Sequence, residues 1–303
     1  MPRRQFAFAL VFLYSGFAAA QQPGSSQAGK AISEQLHRLR SLPDDARAGV
    51  TKRLALAIRQ LPPGSNEGSK EGSKEGSKEG SEEGSKLGLA SQLAGLATEG
   101  DFGRDTLQEV TSTLELALGE APLRADRGKP DEAYVELASL ARYEGMKVGL
   151  SDPRYAAALA KLESDDQARR EADFTLTDLE GKKWTLKGLR GSVVLVNFWA
   201  TWCPPCLKEI PDLDALYKRF KDQGLVILAL SDEEAGKVIP FVAQQKCSYP
   251  VLLDAGGNVN KLFRVEGIPK TFVYDREGKL AAQSIDMRTM KQFLGMLQQA
   301  GLQ

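Results

Sequence analysis

Two cysteines separated by two residues are the strongest chemical signal in the sequence. They occupy a Cys-Pro-Pro-Cys segment at positions 203–206, after an apolar run at 193–199 that is typical of a buried strand. A helical pattern begins between them, so Cys203 is expected at the helix N-terminus, where unpaired N–H groups and the helix dipole favour a thiolate. Cys206 lies one turn further on, within reach to form a disulfide. This spacing predicts a redox site in which Cys203 is the attacking nucleophile and Cys206 is the resolving cysteine.

The two prolines between the cysteines limit how strongly the Cys203 thiolate is stabilised. Pro204 and Pro205 suit the first turn of a helix but have no N–H group. If Cys203 caps the helix, only Cys206 and the residues beyond it can donate a hydrogen bond to its sulfur. We therefore predict a reducing to intermediate site rather than a strong oxidant, with the disulfide itself as the redox group and no further cofactor.

A Cys-x-x-Cys pair can also be half of a zinc site, which needs a second pair of ligands. The remaining candidates are Cys247 and the single histidine, His37, which lie in unrelated regions of the chain. We therefore predict no metal and interpret His37 as a surface or capping residue. Cys247 is interpreted as a buried, inert thiol, with a third redox partner as the alternative.

The elements around the cysteines predict an α/β domain. A hairpin is expected around Glu180 and Gly181. Strands are expected at 193–199, 225–230, 251–253, 271–274 and 280–284, and helices at 204–220, 235–246, 259–263 and 288–298. Alternating strands and helices followed by a hairpin and a helix indicate a mixed sheet.

The segment Val-Asn-Phe-Trp-Ala-Thr-Trp-Cys-Pro-Pro-Cys at 196–206 resembles the active site of thioredoxins, and specifically of the exported TlpA/ResA-type reductases. The same family is indicated by Gly-Ile-Pro-Lys-Thr-Phe at 267–272, Asp-Phe-Thr-Leu at 173–176 and Tyr-Pro-Val-Leu-Leu-Asp at 249–254. The resemblance covers residues 170–303. It implies a thioredoxin-like α/β fold with a mixed central sheet and thiol–disulfide oxidoreductase activity.

The resemblance also implies which residues contact a substrate. Pro269 corresponds to a cis proline that faces the disulfide, and Ile268 presents its backbone to a partner peptide. Trp202, Pro204 and Pro205 complete the implied substrate-binding set.

Three further residues near the cysteines are assigned by the same resemblance. Glu209 matches a glutamate one turn after the second cysteine, which can accept or relay the proton of Cys206. The alternative is an ordinary exposed acid on a helix. Asn197 replaces the buried aspartate of thioredoxin itself, which fits the exported group. Trp199 is predicted to belong to the core.

The beginning of the chain has the three-part pattern of a secretory signal. Arg3 and Arg4 precede an apolar run at 6–17 and three alanines at 18–20, so we predict a signal peptide at 1–20 with cleavage near Ala20. A twin-arginine signal is the alternative form. The expected location is periplasmic or otherwise extracytoplasmic, and the mature protein is expected to be soluble.

The rest of the N-terminal half predicts an all-α accessory domain before the thioredoxin-like fold. We expect a helical segment at 21–63, a Gly-Ser-Lys-Glu low-complexity linker at 64–86 and a helical domain at 87–165. The chain has 40 basic and 40 acidic residues, so its charge gives no reason to expect a nucleic-acid partner.

Four functions are compatible with these features. The first is reduction of disulfides in exported proteins, such as those of cytochrome c maturation or copper delivery, with electrons from a membrane-embedded thiol donor. An oxidase or isomerase would use the same cysteines at a higher potential. A thiol peroxidase is disfavoured because Val196 and Ala200 replace the proline and threonine of the Pro-x-x-x-Thr-x-x-Cys pattern. The fourth is a binding module carried by the helical domain.

Overall fold

The computed structural model describes residues 25–63, 85–121 and 132–303. The predicted signal peptide, most of the predicted linker and residues 122–131 of the predicted helical domain lie outside these segments. None of the helices within them is long and apolar enough to cross a membrane.

The described part of the N-terminal half consists of helices around one apolar core. Leucines at helical spacing, such as Leu36, Leu93, Leu114 and Leu137, are fully buried in it. The helices are α1 (Ser25–Leu39), α2 (Asp44–Arg59), α3 (Lys86–Thr98), α4 (Arg104–Glu120), α5 (Glu132–Tyr143) and α6 (Pro153–Glu171).

Two predicted domain boundaries differ from the structure. The linker was predicted to include Lys86, but this residue begins α3, where Ser85 Oγ caps the helix by accepting a hydrogen bond from the N–H of Gly88. The Lys86 side chain is buried and pairs with Glu120 at 2.8 Å. The helical domain was predicted to end at residue 165, but α6 continues to Glu171.

The C-terminal domain has a mixed five-stranded sheet, as predicted. A hairpin of β1 (Thr175–Thr177) and β2 (Lys183–Thr185) comes first. The sheet contains β3 (Val193–Phe198), β4 (Leu225–Ser231), β5 (Val251–Leu253), β6 (Lys270–Tyr274) and β7 (Leu280–Gln283) in the order β5-β4-β3-β6-β7. The strands β3, β4 and β5 are parallel to one another, and β6 runs antiparallel to both of its neighbours, β3 and β7. The helices are α7 (Pro204–Phe220), α8 (Ala235–Gln245), α9 (Asn258–Leu262) and α10 (Met290–Gln299).

The central strand β3 is the rigid base of the cysteine segment. All six of its residues are buried, because strands flank it on both sides and apolar cores cover both faces of the sheet. One core includes side chains of α7 and α10, and the other contains the packed rings of Phe198, Phe263 and Phe272. The chain leaves β3 at Phe198 and enters α7 at Pro204, so a short loop holds Cys203 beyond the C-terminal end of the central strand.

The two domains share a buried polar interface on α6. Arg169 is 4% exposed and donates from Nε to the carbonyl oxygen of Phe263 at 3.0 Å. The hydroxyl of Tyr274 donates to the carbonyl oxygen of Arg169 at 2.8 Å. These contacts explain why α6 continues to the edge of the second domain.

Candidate active site

Cys203 and Cys206 form a disulfide at the N-terminus of α7. The sulfur atoms are 2.00 Å apart, the Cα atoms are 5.3 Å apart, and Cys203 occupies the helix cap as predicted. Both cysteines are buried, whereas the neighbouring Trp202 is 68% exposed. Trp199, by contrast, is 5% exposed and packs against Phe241, as a core residue would. The arrangement leaves an exposed aromatic side chain beside a sheltered disulfide.

The proline pair has the effect on hydrogen bonding that the sequence predicts. The N–H of Cys206 donates to Cys203 Sγ at 3.3 Å, while Pro204 and Pro205 occupy the preceding positions and have no N–H. The helix terminus therefore offers Cys203 fewer donors than a helix without these prolines would.

The loop before β6 lies against the disulfide. The peptide bond between Ile268 and Pro269 is cis, as the resemblance implies. The carbonyl oxygen of Ile268 is 3.8 Å from Cys203 Sγ. This backbone segment is thus in place to meet a chain that approaches Cys203.

Glu209 is buried, so the alternative of an ordinary exposed acid is wrong. It lies three residues after Cys206 on α7 and is 1% exposed. Its Oε1 accepts a hydrogen bond from the backbone N–H of Arg288 at 2.6 Å, and its Oε2 accepts one from Asn197 Nδ2 at 3.2 Å. Asn197 Nδ2 also lies 3.0 Å from Thr271 Oγ1 and donates to it. The carboxyl group is therefore held between the central strand, the helix of the cysteines and the loop after β7.

Burial controls the protonation of Glu209. Desolvation raises the pKa of its carboxyl group from 4.5 to about 8, although the N–H of Arg288 and the amide of Asn197 favour the ionised form. An acid that titrates near this pH can exchange a proton with a thiol, whose ordinary pKa is about 8.5.

The raised pKa of Glu209 predicts a pH-dependent stability. Between pH 4.5 and about 8 the unfolded chain has an ionised Glu209 while the folded protein keeps the proton. Unfolding then releases a proton, so the free energy of unfolding falls as pH rises through this window, with a limiting slope of about 1.4 kcal/mol per pH unit. Urea unfolding is measured on the oxidised wild type and on oxidised Glu209→Gln. The free energy of unfolding is expected to be higher for the wild type, by a margin that declines as pH rises across this window.

The exposed Glu277 provides the matched control for that experiment. Glu277→Gln is expected to keep the wild-type pH dependence. If the free energy of unfolding of the wild type minus that of Glu209→Gln is constant or grows from pH 5 to 8, Glu209 ionises freely in the folded protein.

Sequence reasoning missed two residues close to this site. Arg288, 5% exposed, was predicted only as the start of the last helix. Lys270 follows the cis proline directly; desolvation lowers the pKa of its ammonium group to about 7, and Nζ donates to the carbonyl oxygen of Ile285 at 3.3 Å. The position of Lys270 within the Gly-Ile-Pro-Lys motif was a usable signal, whereas no motif in the sequence links Arg288 to the cysteines.

The remaining predicted residues lie elsewhere. Cys247 is half-buried rather than fully buried, and desolvation raises the pKa of its thiol, which disfavours a reactive thiolate. His37 is exposed on α1. Across the segments that the structure describes, no group of three or more His, Cys, Asp or Glu side chains is arranged to hold a metal ion.

Comparisons with known proteins match this part of the chain. The model of the AhpC/TSA family matches residues 168–283. A thiol-disulfide oxidoreductase ResA of Bacillus cereus is 39% identical over 145 residues, which is 48% of this chain and 84% of that protein. The protein of the same name from Bacillus subtilis is 37% identical over 127 residues, 42% of this chain and 71% of that protein. Among solved structures, a putative thiol:disulfide interchange protein DsbE from Chlorobium tepidum is 30% identical, with 43% of this chain and 93% of that chain covered and a TM-score of 0.41.

Proposed function

Because the chain belongs to the ResA family of thiol–disulfide oxidoreductases, with their thioredoxin-like fold, we propose that it reduces disulfides of exported proteins outside the cytoplasm. The observation that supports the reducing direction is the hydrogen bonding of Cys203. The N–H of Cys206 donates to its sulfur at 3.3 Å, and the two prolines before it provide none. A thiolate with few donors is stabilised little, which favours the disulfide form of the couple and makes the dithiol a good reductant.

The first step of the proposed cycle begins with both cysteines reduced. The Cys203 thiolate attacks one sulfur atom of a substrate disulfide and forms a mixed disulfide with it. The substrate S–S bond breaks, and the second substrate sulfur leaves as a thiolate that takes a proton from water. The cis-Pro269 loop supports this step, because the Ile268 carbonyl oxygen is 3.8 Å from Cys203 Sγ and can bind a peptide at that point. The exposed Trp202, with Pro204 and Pro205, provides further contact surface.

The second step resolves the mixed disulfide. In molecules in which Glu209 is ionised, a fraction that grows as the pH approaches 8, the Cys206 thiol gives its proton to the carboxylate and its sulfur attacks Cys203 Sγ. The Cys203–Cys206 bond forms while the mixed disulfide breaks, and the substrate sulfur that was bound to Cys203 leaves as a thiolate. Two electrons have then passed to the substrate, which ends as two thiols, while the enzyme ends as the disulfide. Glu209 suits this transfer because its pKa of about 8 is close to the ordinary thiol value of about 8.5.

A complete cycle needs a dithiol donor that reduces the Cys203–Cys206 disulfide again. We propose a membrane-embedded thiol donor for this role, with the Cys203–Cys206 couple as the sole redox group of the protein. The signal-like residues 1–20 support export to the compartment where such substrates are found. Apocytochrome c and copper-delivery proteins are candidate substrates within this class.

A trapping experiment tests the proposal. Cys206→Ser is produced in a cell that exports the protein. Because the mixed disulfide cannot be resolved without Cys206, this variant is expected to accumulate partner proteins linked to Cys203. Mass spectrometry of the disulfide-linked species identifies the partners, and Cys203→Ser is the matched control. Stronger trapping by Cys203→Ser would reverse the assignment of nucleophile and resolving cysteine. Absence of mixed disulfides in both variants would contradict the proposed function.

A further inference from the structure

The loop at 284–289, which follows β7 in the C-terminal domain, packs against the helical domain. Ile285 packs against the apolar core of the helical domain. Asp286 Oδ2 accepts a hydrogen bond from Thr98 Oγ1 at 3.1 Å. The loop is therefore held by the final residue of α3, which belongs to the helical domain.

The side chain of Arg288 is the most buried charged link in this loop. It is 5% exposed, its Nη2 pairs with Glu144 at 2.5 Å, and its Nη1 donates to the carbonyl oxygen of Thr98 at 3.2 Å. Both partners belong to the helical domain. A guanidinium group with two such partners has little freedom to move, because its planar donors fix the direction of each bond.

The backbone of the same residue faces the redox site. The N–H of Arg288 donates to Glu209 Oε1 at 2.6 Å, the shorter of the two hydrogen bonds that Glu209 accepts from Arg288 and Asn197. A short bond from an N–H group stabilises the ionised carboxylate, and so does the nearby positive charge. The position of this donor depends on where the helical domain holds the Arg288 side chain.

Within the described segments, other charged or titratable groups also lie around Glu209. The groups on elements packed around it are Cys206 and Asp212 of α7, Tyr249 before β5 and Arg288 after β7, with Lys270 and Asp286 beside Arg288. Of these, Arg288 both donates to Glu209 and carries a positive charge that favours its ionised form.

We propose that Arg288 is a positioning residue through which the helical domain sets the protonation of Glu209, and with it the pH range of disulfide exchange. The second part rests on the proposed function, in which Glu209 accepts the proton of Cys206. The helical domain is then a structural determinant of the redox site as well as an accessory domain.

Direct titration of Glu209 tests this role. In the oxidised protein the cysteines of the site do not titrate, so the carboxyl carbon signal of ¹³C-labelled Glu209, identified by its absence in Glu209→Gln, follows this carboxyl group without a contribution from the site's thiols. We expect a midpoint near 8 in the wild type. Arg288→Met removes the positive charge and the side-chain contacts with Glu144 and Thr98. It is expected to raise the midpoint of Glu209 by about one pH unit. In the reduced protein, the pH profile of disulfide exchange is expected to move in the same direction.

Two variants control for damage to the fold and the interface. Arg288→Lys keeps the charge but loses the paired contacts, so its midpoint is expected between those of the wild type and Arg288→Met. If Arg288→Met does not fold, the midpoint of Arg288→Lys tests the positioning role in its place. Arg264→Met removes another contact between the domains, the ion pair with Asp165 at 2.8 Å, and is expected to keep the wild-type midpoint.

The outcomes separate this inference from the proposed function. The positioning role is overturned if both Arg288 variants titrate at the wild-type midpoint, or if Arg264→Met moves the midpoint as far as Arg288→Met. A raised midpoint in Arg288→Met would support the role even if the protein exchanged no disulfides. Absence of disulfide exchange would contradict only the proposed function, since the titration of the oxidised protein requires no exchange.

Discussion

Cys203→Ser is expected to lower the rate of disulfide exchange by at least ~10³-fold, the scale on which loss of a nucleophile acts. The serine hydroxyl does not ionise near neutral pH and forms no mixed disulfide, so the first step of the cycle has no substitute. Cys206→Ser is expected to complete one attack and then stop as the mixed disulfide. The measurement is the reduction of a peptide disulfide by the fully reduced protein, followed by mass spectrometry.

Cys247 offers a matched control for the loss of a thiol. It is half-buried just after the end of α8, and its raised pKa disfavours the thiolate. Cys247→Ser is expected to exchange disulfides at the wild-type rate. Loss of activity in this variant, or a rate in Cys203→Ser within tenfold of the wild type, would place the reacting thiol elsewhere.

Pro205→Ala is expected to make the protein a stronger oxidant. Alanine restores an N–H group at the second helical position, from which a donor commonly reaches the cap residue. A hydrogen bond to a charged group contributes ~1.5–3 kcal/mol. Stabilising the Cys203 thiolate by that amount favours the reduced couple, so the reduction potential is expected to become more positive by up to ~30–60 mV at a pH where the thiolate forms.

A second proline of the same helix controls for general effects of proline removal. Pro211 lies inside α7 and is exposed. Pro211→Ala changes the helix without adding a donor near Cys203, so the reduction potential is expected to remain that of the wild type. A potential in Pro205→Ala that is unchanged or more negative would contradict the account of the proline pair.

The sequence predicted α7 with the bounds that the structure has, 204–220, and the reason is local. A buried strand, a short loop and a proline pair determine where this helix begins. The cap position of Cys203 follows from the same residues. The family resemblance implied the cis-Pro269 loop, and the structure has a cis bond there.

The surroundings of Glu209 were not predictable in this way. Its burial depends on Asn197 and on a loop about 80 residues further along the chain, and such a contact leaves no local pattern. The last helix was predicted to begin at Arg288, but it begins at Met290 because Thr289 caps it and forms a capping box with Gln292. The Thr-x-x-Gln spacing was present in the sequence and would have placed Arg288 in the loop.

The reduction potential of the Cys203–Cys206 couple tests the central claim most directly. The wild-type protein is equilibrated with thiol–disulfide buffers, and the reduced fraction is measured by thiol labelling. We predict a value near that of thioredoxin, about −270 mV, as expected of a reductase supplied with electrons from outside its compartment. A value near about −120 mV would contradict the account, because such a couple introduces disulfides into its partners rather than removing them.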